Sequence, residues 1–218
     1  MKIRNIMVSL ITLVTFISFA CGENSPVESS MVNDQSSLEV LKQTIVSLPT
    51  EELSDGEISG LLVMREEEKL ARDVYITLYQ KYGLRVFDNI SRSEQTHTNA
   101  IRLLIEKYRL EDPVTEDEIG IFRNQDLQNL YNQLIEKGNV SEVEALKVGA
   151  EIEEIDILDL VEQIEKVVDN QDITYVYNNL KAGSENHLRA FVRNLSMRGV
   201  TYSPTHLDVE TYNLIINN

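Results

Sequence analysis

Between residues 87 and 108, FDNISRSEQTHTNAIRLLIEKY, apolar side chains recur at Phe87, Ile90, Ile101, Leu104 and Tyr108. Spacing by threes and fours marks the buried stripe of an amphipathic helix, one that must pack against other helices. Carried through the middle of the segment, the same stepping lands on Glu94 and His97. A carboxylate and an imidazole, one turn apart, hold positions where a helical core takes Leu or Ile. A buried carboxylate without a partner is costly. Whatever this chain folds into must therefore bring something to meet Glu94, and a metal ion is the leading candidate.

Three further segments show the same interrupted stripe. The first, 57–82, presents Leu61, Met64, Ala71, Val74, Tyr75 and Leu78 and stops at Gly83, a natural C-cap. Glu66, Glu67 and Glu68 cross its inner face. The run reads mostly as solvated, with the period alone favouring Glu67 over Glu68 as the inward residue. A later segment opens at Ser141, an N-cap with Glu144 at the capping-box position, and runs to 168. Its stripe is Val143, Leu146, Ala150, Ile157, Val161, Ile164 and Val168, with Glu154 in the gap and Glu151 one turn before. The last, 172–195, carries Ile173, Val176, Leu180 and Phe191, with Ser184 and His187 between. The connection over 109–140 is broken at Asp112-Pro113 and holds a short apolar-faced helix over 125–137. A connection this long suits a crossover along a bundle. The tail after Gly199 has no clear period and is expected to pack over one end, with His206 at the surface or as a cap.

Composition agrees with a mostly helical domain: 42% hydrophobic and 26% charged residues, no Trp, few Gly and Pro. The formal net charge of −16 opposes binding to nucleic-acid phosphates. At the N-terminus, Lys2 and Arg4 precede an apolar run over 6–19, the pattern of a signal peptide and shorter than a spanning helix needs. Ala20 then precedes Cys21, the one cysteine. These features predict a lipoprotein-type signal at 1–20, lipidation of Cys21, a flexible tether over 21–48 and a helical domain over 49–218. The protein is then exported and membrane-anchored, periplasmic or at the cell surface. Ser18 stands where such sites usually carry a branched residue, with Ile17 one place earlier.

Ferritin-like proteins build a dinuclear centre from one Glu on each of two helices and a Glu-x-x-His on each of the other two. The segments LLVMREEEKLARDVY, SEQTH, GAEIEEIDILDL and GSENHLRAF resemble the domain of unknown function 2202 family, which is placed in the ferritin-like superfamily. That resemblance implies an all-α, ferritin-like four-helix bundle with the long crossover after the second helix, and no established activity. A looser likeness to rubrerythrin selects Glu68 over Glu67, because Ala71, Arg72 and Tyr75 follow in register. It matches Glu94 and His97 on the second helix, Glu151 and Glu154 on the third and His187 on the fourth, where Ser184 replaces the expected Glu. The implied ligands are thus Glu68, Glu94, His97, Glu151, Glu154 and His187, holding one or two Fe or Mn ions, with Tyr75 as a catalytic hydrogen-bonding or electron-relay residue. Ferrous oxidation or peroxide reduction would follow, in a monomer or homodimer. The competing reading is a non-enzymatic structural or protein-binding lipoprotein whose polar layer is metal-free, with Glu94, Glu154 and His187 paired to arginines such as Arg72 or Arg189, or with one another.

Overall fold

The computed structural model describes residues 38–218. The expected signal peptide, Cys21 and most of the expected tether lie outside the described residues. A short helix, α1, covers 38–47. Six more follow: α2 Asp55–Tyr82, α3 Arg85–Tyr108, α4 Gln125–Gly138, α5 Glu142–Lys166, α6 Gln171–Ser196 and α7 Val209–Asn217. The described residues are all helix and loop, and none of their helices is long and apolar enough to cross a membrane.

Local chemistry sets the helix ends. Ser54 and Glu57 form a reciprocal capping box at the start of α2. Glu57 also accepts from the backbone N–H groups of Asp169 and Asn170, at 3.3 Å each, and so ties the α5–α6 turn to the same point. Gly83 ends α2 at φ 66°, a left-handed conformation that glycine adopts without Cβ strain. The two-residue connection that follows folds α3 back along α2, and α5 and α6 form a second such pair. Contacts of α3 with α6 and of α2 with α5 close the four long helices around a common interior.

That interior is apolar at both ends and polar in the middle. One core gathers Val74, Tyr75, Phe87, Leu146, Phe191 and the tail residues Tyr202 and Tyr212. A separate core gathers Leu61, Met64, Ile101, Leu104, Leu160 and Tyr177. The residues between them along each helix, Glu68, Glu94, His97, Glu153, Ser184 and His187, are all buried.

Two segments depart from the expectations. Residues 38–47, placed in the tether by sequence, are helical, and Ile45 is buried in the second core. Lys107 explains the docking. Its ammonium donates to the carbonyls of Ile45, Leu48 and Pro49 at 2.9–3.0 Å and pairs with Asp172 at 2.6 Å. A cation thereby meets carbonyls that a helix end leaves without partners. The Glu66–Glu68 run is also far from solvated. Glu66 is buried and accepts from the N–H groups of Arg123 and Asn124, anchoring the start of α4.

The crossover is strapped to the outer face of α2. Arg65 pairs with Asp112, and Arg72 pairs with Asp73 and Asp117. Lys69, fully buried, donates to Asp73 at 2.5 Å and to the carbonyls of Glu118 and Ile121. Asp73 also accepts from Gly120 N–H at 2.9 Å. The acidic crossover is thus held by three cations that recur at near-helical spacing on one helix.

Candidate metal centre

Each long helix contributes to the polar layer at the height where its stripe is interrupted. Glu94 of α3 stands at the middle. Its Oε2 lies 2.8 Å from His97 Nδ1 and its Oε1 lies 2.8 Å from His187 Nδ1. Glu68 of α2 approaches His97 Nδ1 at 3.2 Å, and Glu153 of α5 approaches His187 Nδ1 at 3.4 Å. Glu68, Glu94 and His97 therefore bring one ligand atom each within 4.8 Å of one another, and so do Glu94, Glu153 and His187. Glu94 belongs to both groups. The two imidazoles stack at 5.4 Å between ring centroids.

A second ring of contacts orients these groups. Tyr75 donates its O–H to Glu153 Oε1 at 2.5 Å, and its ring sits against Phe87 and Phe191. His187 Nε2 is 2.9 Å from Ser93 Oγ. Anchoring one ring nitrogen this way leaves the other free to act as a ligand. Gly183 is required by space: a Cβ there would stand 2.6 Å from His97 Nε2. Glu68 Oε1 is buried with no hydrogen-bond partner.

The electrostatics follow from crowding carboxylates away from water. Burial pushes Glu68 up to about 7 against the pull of His97, and burial also raises Glu153. For Glu94 burial is outweighed by His187 and His97, which hold it well below the carboxylate range. Burial would lower both imidazoles, but Glu94, with Glu68, raises His97 well above its ordinary value, and Glu94 with Glu153 pushes His187 to about 10. Burial and the Glu153 charge keep the Tyr75 phenol protonated well above its ordinary range.

Four sequence-predicted ligands, Glu68, Glu94, His97 and His187, come together here; Glu151 and Glu154 do not. Glu154 is fully buried but faces the tail, accepting from Tyr202 O–H at 2.6 Å and from the N–H groups of Thr205, His206 and Leu207. Glu151 pairs with Lys137 of α4 and lies 3.6 Å from the exposed His206. The residue missed is Glu153. Positions 153 and 154 fill the gap between Ala150 and Ile157 equally well by period, and only the tail, which has no period, decides which carboxylate it covers. Glu67 lines a cavity between α2, α4 and α5 with Asp156 and Asp159, and burial pushes it up to about 8. Glu68 takes the inward place. Tyr75 contacts a centre carboxylate, so what the structure gives it is a positioning contact.

Fold and site together define an all-helical protein with a buried carboxylate–histidine centre shared among four helices. A family model described as "Uncharacterized protein domain (DUF2202)" matches residues 57–218, and the chain belongs to that family. The uncharacterized protein MJ0754 of Methanocaldococcus jannaschii is 54% identical over 174 residues, covering 80% of this chain and 94% of that protein. The crystal structure of hypothetical protein MJ0754 from Methanococcus jannaschii DSM 2661 is similar at a TM-score of 0.77, over 78% of this chain and 97% of that one.

Proposed function

We propose that this is a ferritin-like protein that holds a pair of Fe or Mn ions between its four long helices and uses them in redox chemistry with oxygen or peroxide. One observation carries the reading: the two oxygens of Glu94 face two different histidines at the same 2.8 Å, the disposition of a carboxylate that bridges two half-sites. The orphaned Glu68 Oε1 supports it, since it is a buried lone-pair donor with no hydrogen-bond partner. The connectivity, two helix pairs joined by a long crossover, is that of ferritin-like bundles.

The donor set of three carboxylates and two imidazoles suits Fe or Mn by ligand hardness. Glu68 and His97 would serve one ion, Glu153 and His187 the other, with Glu94 common to both. When bound, two divalent ions would each give up one electron and become trivalent, and the two electrons with two solvent protons would reduce oxygen to peroxide or peroxide to water. The chain's own groups then have distinct tasks. Tyr75 holds Glu153 through its O–H, and the rings of Tyr75, Phe87 and Phe191 keep water from that end. Ser93 fixes the orientation of His187. The two imidazoles retain slight exposure, about 8% each, whereas Glu68, Glu94 and Glu153 are at 2% or less, so small reactants reach the centre from the histidine side. Lipid anchoring at Cys21, export and a monomeric or homodimeric state belong to the same reading.

The competing metal-free layer loses its arginine counter-charges and keeps only the pairing of its own acids with the two imidazoles. Arg72 is occupied by Asp73 and Asp117, and Arg189 by the Ile215 carbonyl and Asn186. The deciding experiment counts iron, by elemental mass spectrometry, in the full-length chain purified without chelators and reloaded anaerobically with Fe(II). About two equivalents in the wild type, lost together in Glu94→Ala, is the expected result for a bridging carboxylate. A wild type that retains essentially no iron would falsify the reading and return the polar layer to a structural role.

A further inference from the structure

Three carboxylates and two neutral imidazoles around two divalent cations leave one positive charge in a buried layer, which is strongly disfavoured. A fourth carboxylate would neutralise it. In ferritin-like centres that group stands three residues before the histidine of the last helix, and Ser184 occupies that place here. Building on the dinuclear reading, we propose that the fourth carboxylate comes instead from α5: Asp156, held by the buried Ser184 hydroxyl, is the missing ligand of the Glu68 half-site.

Geometry and charge both carry the assignment. Ser184 is completely buried, and its Oγ donates to Asp156 Oδ2 across the α5–α6 contact. The same hydroxyl lies within 3.1 Å of the Leu180 carbonyl, so its position is fixed on both sides. Asp156 follows Glu153 by three residues, which places both carboxylates on one face of α5. Among the described residues no cation pairs with Asp156, and Glu68 is the centre carboxylate whose charge bears on it most, ahead of Glu153 and Glu94. Glu68 is also the carboxylate with an unpartnered buried oxygen. Asp156 thus feels the Glu68 charge with no cation of its own beside it. Asp156 borders the cavity of ≈ 30 Å³ between α2, α4 and α5, room for a water. Where a glutamate at 184 would bring its own carboxylate, the Ser184 hydroxyl holds one from the neighbouring helix instead.

Co(II) provides the test. It is dialysed against the full-length chain, bound metal is counted by elemental mass spectrometry, and the visible Co(II) absorption is followed. Wild type is expected to hold two equivalents. Asp156→Asn keeps the shape and an acceptor for Ser184, and its second equivalent should weaken by about 100-fold, the upper end for losing a partner of a metal site. Moving the carboxylate back to α6, in Ser184→Glu combined with Asp156→Asn, should restore the second equivalent, and helical circular dichroism should be unchanged throughout. Two equivalents held at unchanged affinity by Asp156→Asn overturn the assignment while leaving the half-sites intact. So does a wild type that takes only one, or a double variant that stays at one, the outcome for a merely structural Asp156. A wild type that takes none overturns the dinuclear reading beneath it.

Discussion

Lys69 and Asp73 on the outer face of α2 are as deeply buried as Glu68 on its inner face, yet the two regions are finished differently. Along the strap every buried charge has its complement. Lys69 meets Asp73 and two carbonyls, Arg72 meets two carboxylates, and Asp73 takes a backbone N–H besides. Around Glu94 acids outnumber bases, and Glu68 Oε1 has no hydrogen-bond partner. A buried network in which every group is satisfied holds structure together; one left short of positive charge is built to receive it. One helix, seven segments of sequence apart from nothing but its own two faces, does both, and burial alone does not separate the structural residues from the functional ones.

The largest expected effect attacks the strap. Asp73→Ala leaves the Lys69 ammonium buried without a counter-charge and should destabilise the fold by about 3–5 kcal/mol. That is a fall in Tm of roughly 10 °C for a domain of this size, while the protein that remains folded keeps its metal. Thermal denaturation with metal counting on the same samples checks it; loss of metal at an unchanged Tm would erase the distinction between the two faces. Next comes Tyr75→Phe, which removes the O–H that holds Glu153 and should weaken metal affinity by about 10-fold. Affinity equal to wild type in a titration would remove Glu153 from the ligand set. The smallest effect is a slope with pH in the metal-free chain. His187 titrates near 10 when folded against an ordinary 6.5, so its contribution is complete below 6.5 and is lost as pH rises through 10. Tm should therefore decline over that range, and less so in His187→Gln. An equal decline in both would locate the pH dependence elsewhere.

The sequence made the four long helices legible because their apolar stripes are long and their caps chemically explicit, as at Ser54, Gly83 and Ser141. It also marked the height of the polar layer, since Glu94 and His97 interrupt a stripe that nothing else breaks. What it could not separate were adjacent glutamates. A helix turns only about 100° per residue, so Glu153 and Glu154 both fall inside, and the direction each faces depends on long-range neighbours. Glu66, Glu67 and Glu68 show the same ambiguity: one anchors α4, one lines a cavity and one enters the centre. The helix at 38–47 was hidden for a similar reason. Its place is fixed by Lys107, far along the chain, rather than by a strong period of its own.

The contact between Glu154 and the tail sets an order of events. Three of the four groups that meet this carboxylate are backbone N–H groups at 205–207, 51 to 53 residues further along the chain. Until those residues have come into place, α5 cannot bury Glu154 without stranding its charge. The tail works as a closing clasp, and the interior is sealed only once it has docked.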